Sequence, residues 1–179
     1  ECKNCDHLYL KNQPSDNSLS KLYKSDDDDK VDSVQGEIYI DKLLYKKRVK
    51  EIAEPKAKFA DSLIEGRGEW IDIGAGVGDL VLALKKMGWN SRGYESDKSE
   101  VIFAKSMGVD LINKFLKPTD LSIIRKAKVV SSLNFLEHLK NPKSFVLNIS
   151  KNINETAEEV VSANQEVISI EKEEVLSPE

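Results

Sequence analysis

The residues best suited to chemistry in this chain are an acid and three alternating glycines, Asp72-Ile73-Gly74-Ala75-Gly76-Val77-Gly78. Without a Cβ, glycine lets the backbone turn sharply and lets a ligand come close. A dinucleotide fingerprint reads G-x-G-x-x-G, and its third glycine would fall where Asp79 stands. An acid two residues before the first glycine repels a pyrophosphate and suits a ligand with a positive end. A second acid, Glu95, lies about 20 residues past the first glycine, the interval at which a carboxylate takes ribose hydroxyls in nucleotide sites. Further on, Glu137 precedes His138, one of only two histidines. A neutral imidazole can take a proton from a hydroxyl or an activated carbon near neutral pH.

At the amino end, Cys2 and Cys5 have the C-x2-C spacing of a zinc knuckle, with His7 close behind. Structural zinc takes four ligands, so the missing half would have to lie upstream of Glu1. Three readings stay open: a remnant half-site without metal, zinc completed by ligands outside this chain, and a redox pair. No βαβ pattern surrounds the cysteines, which weighs against the last.

The elements that must position these groups can be read from the local pattern. Glu69 to Ile73 is an apolar run carrying an acid, ending in the glycines, and so reads as a strand and tight turn. Asp79 to Met87 reads as a helix, with an acid in its first turn, lysines in its last and Gly88 beyond. Trp89 to Glu95 is a second strand. Asp97 with Glu100 makes a capping box for the next helix. Val109 to Ile112 is a third strand, Thr119 to Lys126 a short helix, Ala127 to Leu133 a fourth strand and Lys143 to Asn152 a helix. Upstream, 38–64 is helical in pattern, and Pro55 is expected to break it in two. Lys46, Lys47, Arg48 and Lys50 read there as a solvated face. Pro14 to Asn17 reads as a turn and cap before a short helix carrying Leu19, Leu22 and Tyr23. The run Asp26-Asp27-Asp28-Asp29-Lys30 reads as a solvated loop, and it also matches the recognition site of enteropeptidase.

The 179 residues suit a single domain, with 40% hydrophobic and 32% charged residues and a net charge of −4. There is no basic surplus for nucleic acid and no apolar run long enough for a bilayer. Two cysteines and no signal-peptide pattern place the protein in the cytoplasm.

The acid-and-glycine turn, together with Glu95 in register behind it, resembles the first motif of the class I methyltransferases that use S-adenosylmethionine. A second match lies at the fourth strand's exit, Asn134-Phe135-Leu136-Glu137-His138-Leu139, before Pro142. The resemblance implies a Rossmann-like, doubly wound, mostly parallel α/β sheet with helices on both faces and a helical arm in front. It implies that Asp72, Gly74, Ala75, Gly76 and Gly78 surround the cofactor, with Asp72 toward its amino group and Glu95 on its ribose. It also implies Ser132, Leu133 and Asn134 near the methionine end, Asn113, Lys114 and Phe115 beside the adenine, and Glu137 and His138 at the acceptor rim. The amino arm is similar to the zinc-ribbon lead-in of methyltransferases acting on sugars and related small molecules.

The expected organisation is an arm over 1–37, a cofactor-binding core with leading helices over 38–153, and an acidic tail or incomplete sheet edge over 154–179. The last strands look missing: either the chain is truncated, or it is a reduced variant whose fold a partner chain or second copy completes. Two functions fit the pattern: methyl transfer to a small-molecule acceptor, and a cofactor-binding module without turnover. A nicotinamide oxidoreductase is disfavoured by Asp72 and Asp79.

Overall fold

Strand β1 (Glu69–Ile73) is the centre of the sheet and its alternation divides the core. Trp70 and Asp72 point to one face, Ile71 and Ile73 to the other, as the two-residue period of a strand requires. The coordinates, a computed structural model, describe residues 41–116 and 118–153, the strand backbones at 159–163 and 167–168, and the single positions Lys3, Ser15 and Ser18. The paired cysteines, the Asp26–Asp29 run and the Leu19–Tyr23 segment lie outside the described residues. Ser15 Oγ does accept from Ser18 N at 3.1 Å, the cap expected within 14–17.

The chain continues as α3 (Asp79–Lys86), β2 (Asn90–Glu95), α4 (Lys98–Ser106), β3 (Leu111–Asn113), a 3-10 turn (Pro118–Ile124), β4 (Val129–Leu133), a 3-10 turn (Leu136–His138) and α5 (Pro142–Asn152). Strands β5 (Glu159–Ala163) and β6 (Val167–Ile168) come last. The strand order is β3-β2-β1-β4-β5-β6, parallel through β5, with β6 antiparallel at the edge. This is the doubly wound arrangement expected. Beyond β4 the sheet continues, because Val129 to Leu133 find parallel partners in Glu159 to Ala163 and β6 pairs with β5. β3 starts two residues later than expected, since Val109 turns into the core beside Ala104 and Val81.

On the Trp70 face, Ala53, Ala57, Ala60, Leu80, Ala83, Leu84 and Trp89 pack together, with the Trp70 and Trp89 rings edge to face at 4.8 Å. On the other, Ile71, Ile73, Tyr94, Leu121, Ile124, Val130, Phe145 and Ile149 do so. Burying each large side chain contributes about 1.5–3 kcal/mol, so both layers are needed to hold a sheet this small.

Two leading helices lie in front of the sheet. α1 (Lys42–Arg48) is capped by Asp41, whose carboxylate accepts from Leu43 N and Leu44 N. α2 (Glu54–Asp61) continues from it without a break. The break expected at Pro55 is absent because Val49–Ala53 is a π turn, with Glu54 N bonded to Val49 O. The wider coil accommodates a ring that has no N–H to give, so the rod bulges and continues.

Candidate functional site

In a parallel sheet a ligand crevice opens at the carboxyl ends of the strands, where the chain reverses its winding direction. Here that reversal lies between β1 and β4, and the glycine turn leaves β1 at that point. Gly74, Gly76 and Gly78 all have positive φ, at 74°, 54° and 72°. The turn is closed from β2: Gly74 N and Ala75 N both donate to Tyr94 O, at 2.9 and 3.1 Å.

Glu95 completes that closure. Its Oε2 accepts from Gly76 N at 2.9 Å, while Oε1 accepts from Ser96 N at 2.6 Å and Asp97 N at 2.8 Å. One carboxylate thus ties the end of β2 to the middle of the turn. Asn113 supports the same exit, its Nδ2 donating to Glu95 O and Ser96 O, both at 3.0 Å.

Asp72 is placed differently from expectation. It is 2% exposed, shares the Trp70 face, and its Oδ1 accepts from Ser131 Oγ at 2.6 Å. Ser131 in turn accepts from Trp70 Nε1 at 2.8 Å. The acid therefore lies under the turn rather than on the cleft surface. Burial pushes its carboxyl up to about 7, with Asp79 and Glu95 adding to the rise and the Ser131 bond opposing it. Glu100, whose Oε2 lies nearest the bare side of Gly76, is likewise pushed to about 7 by burial, then by Glu95 and Asp97. Asp72 and Glu100 are thus raised chiefly by their own burial, with the neighbouring carboxylates adding to the rise.

The glycines' bare faces meet protein. A Cβ on Gly74 would lie 2.6 Å from the Phe135 ring, and one on Gly78 2.9 Å from Val109. Gly93 in β2, which pattern reading passed over, is as tight: a Cβ there would lie 2.6 Å from Leu111 and 2.7 Å from Ala75. Its only sequence signal is a glycine inside a strand, which marks close approach of another backbone.

A shallow cleft opens beside the turn, lined by Ile73, Gly74, Tyr94, Ser96, Lys114, Phe115, Leu116 and Phe135. Lys114 and Phe115 were expected here; Phe135, Tyr94 and Ser96 were not. Of the β4 group, Ser132 is buried and donates to Ile73 O at 3.1 Å, Leu133 is half-buried, and Asn134 is exposed with φ 53°. That left-handed residue swings Phe135 over Gly74. Glu137 and His138 come next on the 3-10 turn, both exposed. Arg48, expected on a solvated face, instead donates from Nε to Asp79 Oδ2 at 2.6 Å. Among the described residues, no group of three or more His, Cys, Asp or Glu is arranged to hold a metal ion, and no helix is long and apolar enough to cross a membrane.

The comparisons with known proteins agree with this architecture. Residues 44–162 match a family model described as a methyltransferase domain. No curated protein sequence matches the chain. Among solved structures, the PH0226 protein of Pyrococcus horikoshii OT3 has a TM-score of 0.52 at 17% identity, over 69% of this chain and 59% of that one. The mmp1179 protein of Methanococcus maripaludis has a TM-score of 0.50 at 18% identity, over 69% and 64%. The N-terminal domain of EvdMO1, solved in the presence of SAH and D-fucose, has a TM-score of 0.53 at 16% identity, over 63% and 50%. The chain thus spans between half and two thirds of the length of each.

Proposed function

Because the chain belongs to the methyltransferase domain family, with the model matching 44–162, we propose that it binds S-adenosylmethionine at the glycine turn and donates the methyl to a small-molecule acceptor. The observation that carries this reading is the turn at the sheet's switch point, tied by Glu95 and ringed by carboxylates. Buried acids at the turn favour a ligand that carries positive charge, and this cofactor brings two such groups, a sulfonium and an ammonium. The apolar cleft walls, Ile73, Tyr94, Phe115, Leu116 and Phe135, suit a flat heterocycle beside them. A sugar or related metabolite is the acceptor class we favour, in line with the D-fucose present with the EvdMO1 domain.

When bound, the cofactor supplies an electrophilic methyl on a sulfonium whose departure as a thioether is downhill. The chain's part is alignment and proton handling. Glu95 has acceptor oxygens for ribose hydroxyls once Gly76 N and the Ser96–Asp97 amides yield or share them. Ser131 and Trp70 hold Asp72 under the turn, where its charge acts through space. His138, on the exposed turn after β4, is the base we assign to an acceptor hydroxyl's proton. Holding acceptor and methyl in line provides much of the acceleration.

Calorimetry with S-adenosylmethionine and with NAD, and then turnover with a panel of sugars and phenols, tests the reading. Binding of NAD in place of S-adenosylmethionine would overturn it, and binding without turnover on any acceptor would support the module reading. His138→Ala is expected to lower kcat about a hundredfold with cofactor affinity intact; an unchanged kcat and pH profile would remove His138 from the proton step.

A pH dependence arises from Asp72 and Glu100. Their folded values near 7 lie above the ordinary 3.8 and 4.5, so the folded state holds more protons across that window. Their contribution to stability is complete below the unfolded values and is lost as pH rises through about 7. A cationic ligand favours the ionised forms. Affinity for S-adenosylmethionine should therefore rise through neutrality, with protons released into the buffer. Calorimetry in two buffers of different ionisation enthalpy measures this, and Asp72→Asn should flatten the dependence.

A further inference from the structure

We propose that α1 is a working part of the cofactor site, with Arg48 a positioning residue that holds the second half of the glycine turn. The first half, Gly74 to Gly76, is held from β2 by Tyr94 O and the Glu95 carboxylate. In the second half, Val77 and Asp79 take contacts from the leading helix. Val77 is buried in a cluster with Tyr45 and Val49, and Asp79 accepts from Arg48. Two separate elements therefore clamp one turn.

The ion pair carries this further than the apolar contact. Asp79 Oδ2 lies 2.6 Å from Arg48 Nε, with side-chain exposures of 12% and 32%, so water screens the pair only in part. The other oxygen of Asp79 accepts from Leu80 N at 3.0 Å, in the first turn of α3. Asp79 is thus held between the positive end of that helix and the guanidinium. Without Arg48 it would stand nearly buried near Asp72 and Glu100, both of which already feel its charge. The carboxylate would move away from its neighbours and take Gly78 with it. A ligand that needs the turn preorganised would then meet a looser one.

Tyr45 shows that shape, rather than a further hydrogen bond, seats the helix. It is 2% exposed, edge to face with Phe103, and its hydroxyl has no hydrogen-bond partner among the described residues. Burial and Asp79 push that hydroxyl well above its ordinary range. Such a group costs stability, so Tyr45→Phe should leave the clamp intact or slightly firmer.

The inference rests on the cofactor reading above, and two readouts keep them apart. In the full chain, Arg48→Ala should weaken S-adenosylmethionine binding about tenfold in calorimetry. It should also speed amide hydrogen exchange at residues 77–80 in the protein alone. Asp79→Asn should do the same, the double variant should be no worse than either single one, and Arg48→Lys should recover part of the loss. Lys86→Ala breaks another link between the leading helices and α3, the Lys86–Glu54 pair at 3.0 Å, and should change neither readout. Equal effects from Lys86→Ala, or an Arg48→Ala protein with lowered melting temperature but unaltered exchange at 77–80, would overturn the proposal. If the wild-type chain failed to bind the cofactor, that reading would fall while the exchange experiment still decided the clamp.

Discussion

Gly93→Ala is expected to destabilise the fold by about 1–3 kcal/mol, the range for overpacking a filled core. The added methyl would stand 2.6 Å from Leu111 Cδ2, 2.7 Å from Ala75 Cβ and 3.0 Å from Val81. Leu111 can rotate, but Ala75 is part of the glycine turn and has no rotamer to change. Relief must come from moving the turn itself, whose Ala75 N and Gly74 N are bonded to Tyr94 O next door. Thermal unfolding should show the loss as a fall of roughly 2–4 °C per kcal/mol for a chain this long. Cofactor affinity should fall with it, because the same displacement opens the turn. A variant as stable as the wild type with unchanged affinity would show that the strand and turn separate more easily than their contacts indicate.

Glu95→Ala acts on the ligand side of the same junction. It removes the acceptor of Gly76 N, Ser96 N and Asp97 N and the carboxylate proposed for the ribose. Hydrogen bonds to a charged group contribute about 1.5–3 kcal/mol, so affinity for S-adenosylmethionine should fall roughly ten- to a hundredfold. Glu95→Gln separates the two duties. It keeps an acceptor for the amides and loses the charge, so it should retain melting temperature better than affinity. Equal affinity in wild type and both variants would show that Glu95 serves the loop alone.

What pattern reading reached, and what it missed, divides by distance along the chain. The strand, the turn and the helix after it are adjacent residues, and the acid-glycine spacing carries its meaning locally. Glu95 and the Glu137-His138 segment were legible for the same reason, each lying at the end of a recognisable strand. Arg48 was not, because nothing near it in sequence shows that Asp79 waits 31 residues away to receive it. Its neighbours Lys46 and Lys47 are exposed, as read, and a step of one residue along the helix separates the two behaviours. Asp72 was legible as an acid at the turn, but its direction depends on Ser131 across the sheet. Pro55 was read from its own geometry, and the π turn that absorbs it comes with the burial of Val49 and Ala53. Strand β5 lies in 154–179, where the pattern alone left an acidic tail and a sheet edge both open, since its pairing depends on β4 far back along the chain.

The hydrogen-bonded row Trp70–Ser131–Asp72 gives the protein an optical reporter of its own. Trp70 and Trp89 are the chain's only two tryptophans, and they stack edge to face within one cluster. All of the molecule's indole emission therefore originates in that one cluster, and one of the two emitters is linked to Asp72 through a single serine hydroxyl. A change in charge at Asp72 should alter that emission without any label, so titration of the site can be followed in the unmodified chain with a fluorimeter.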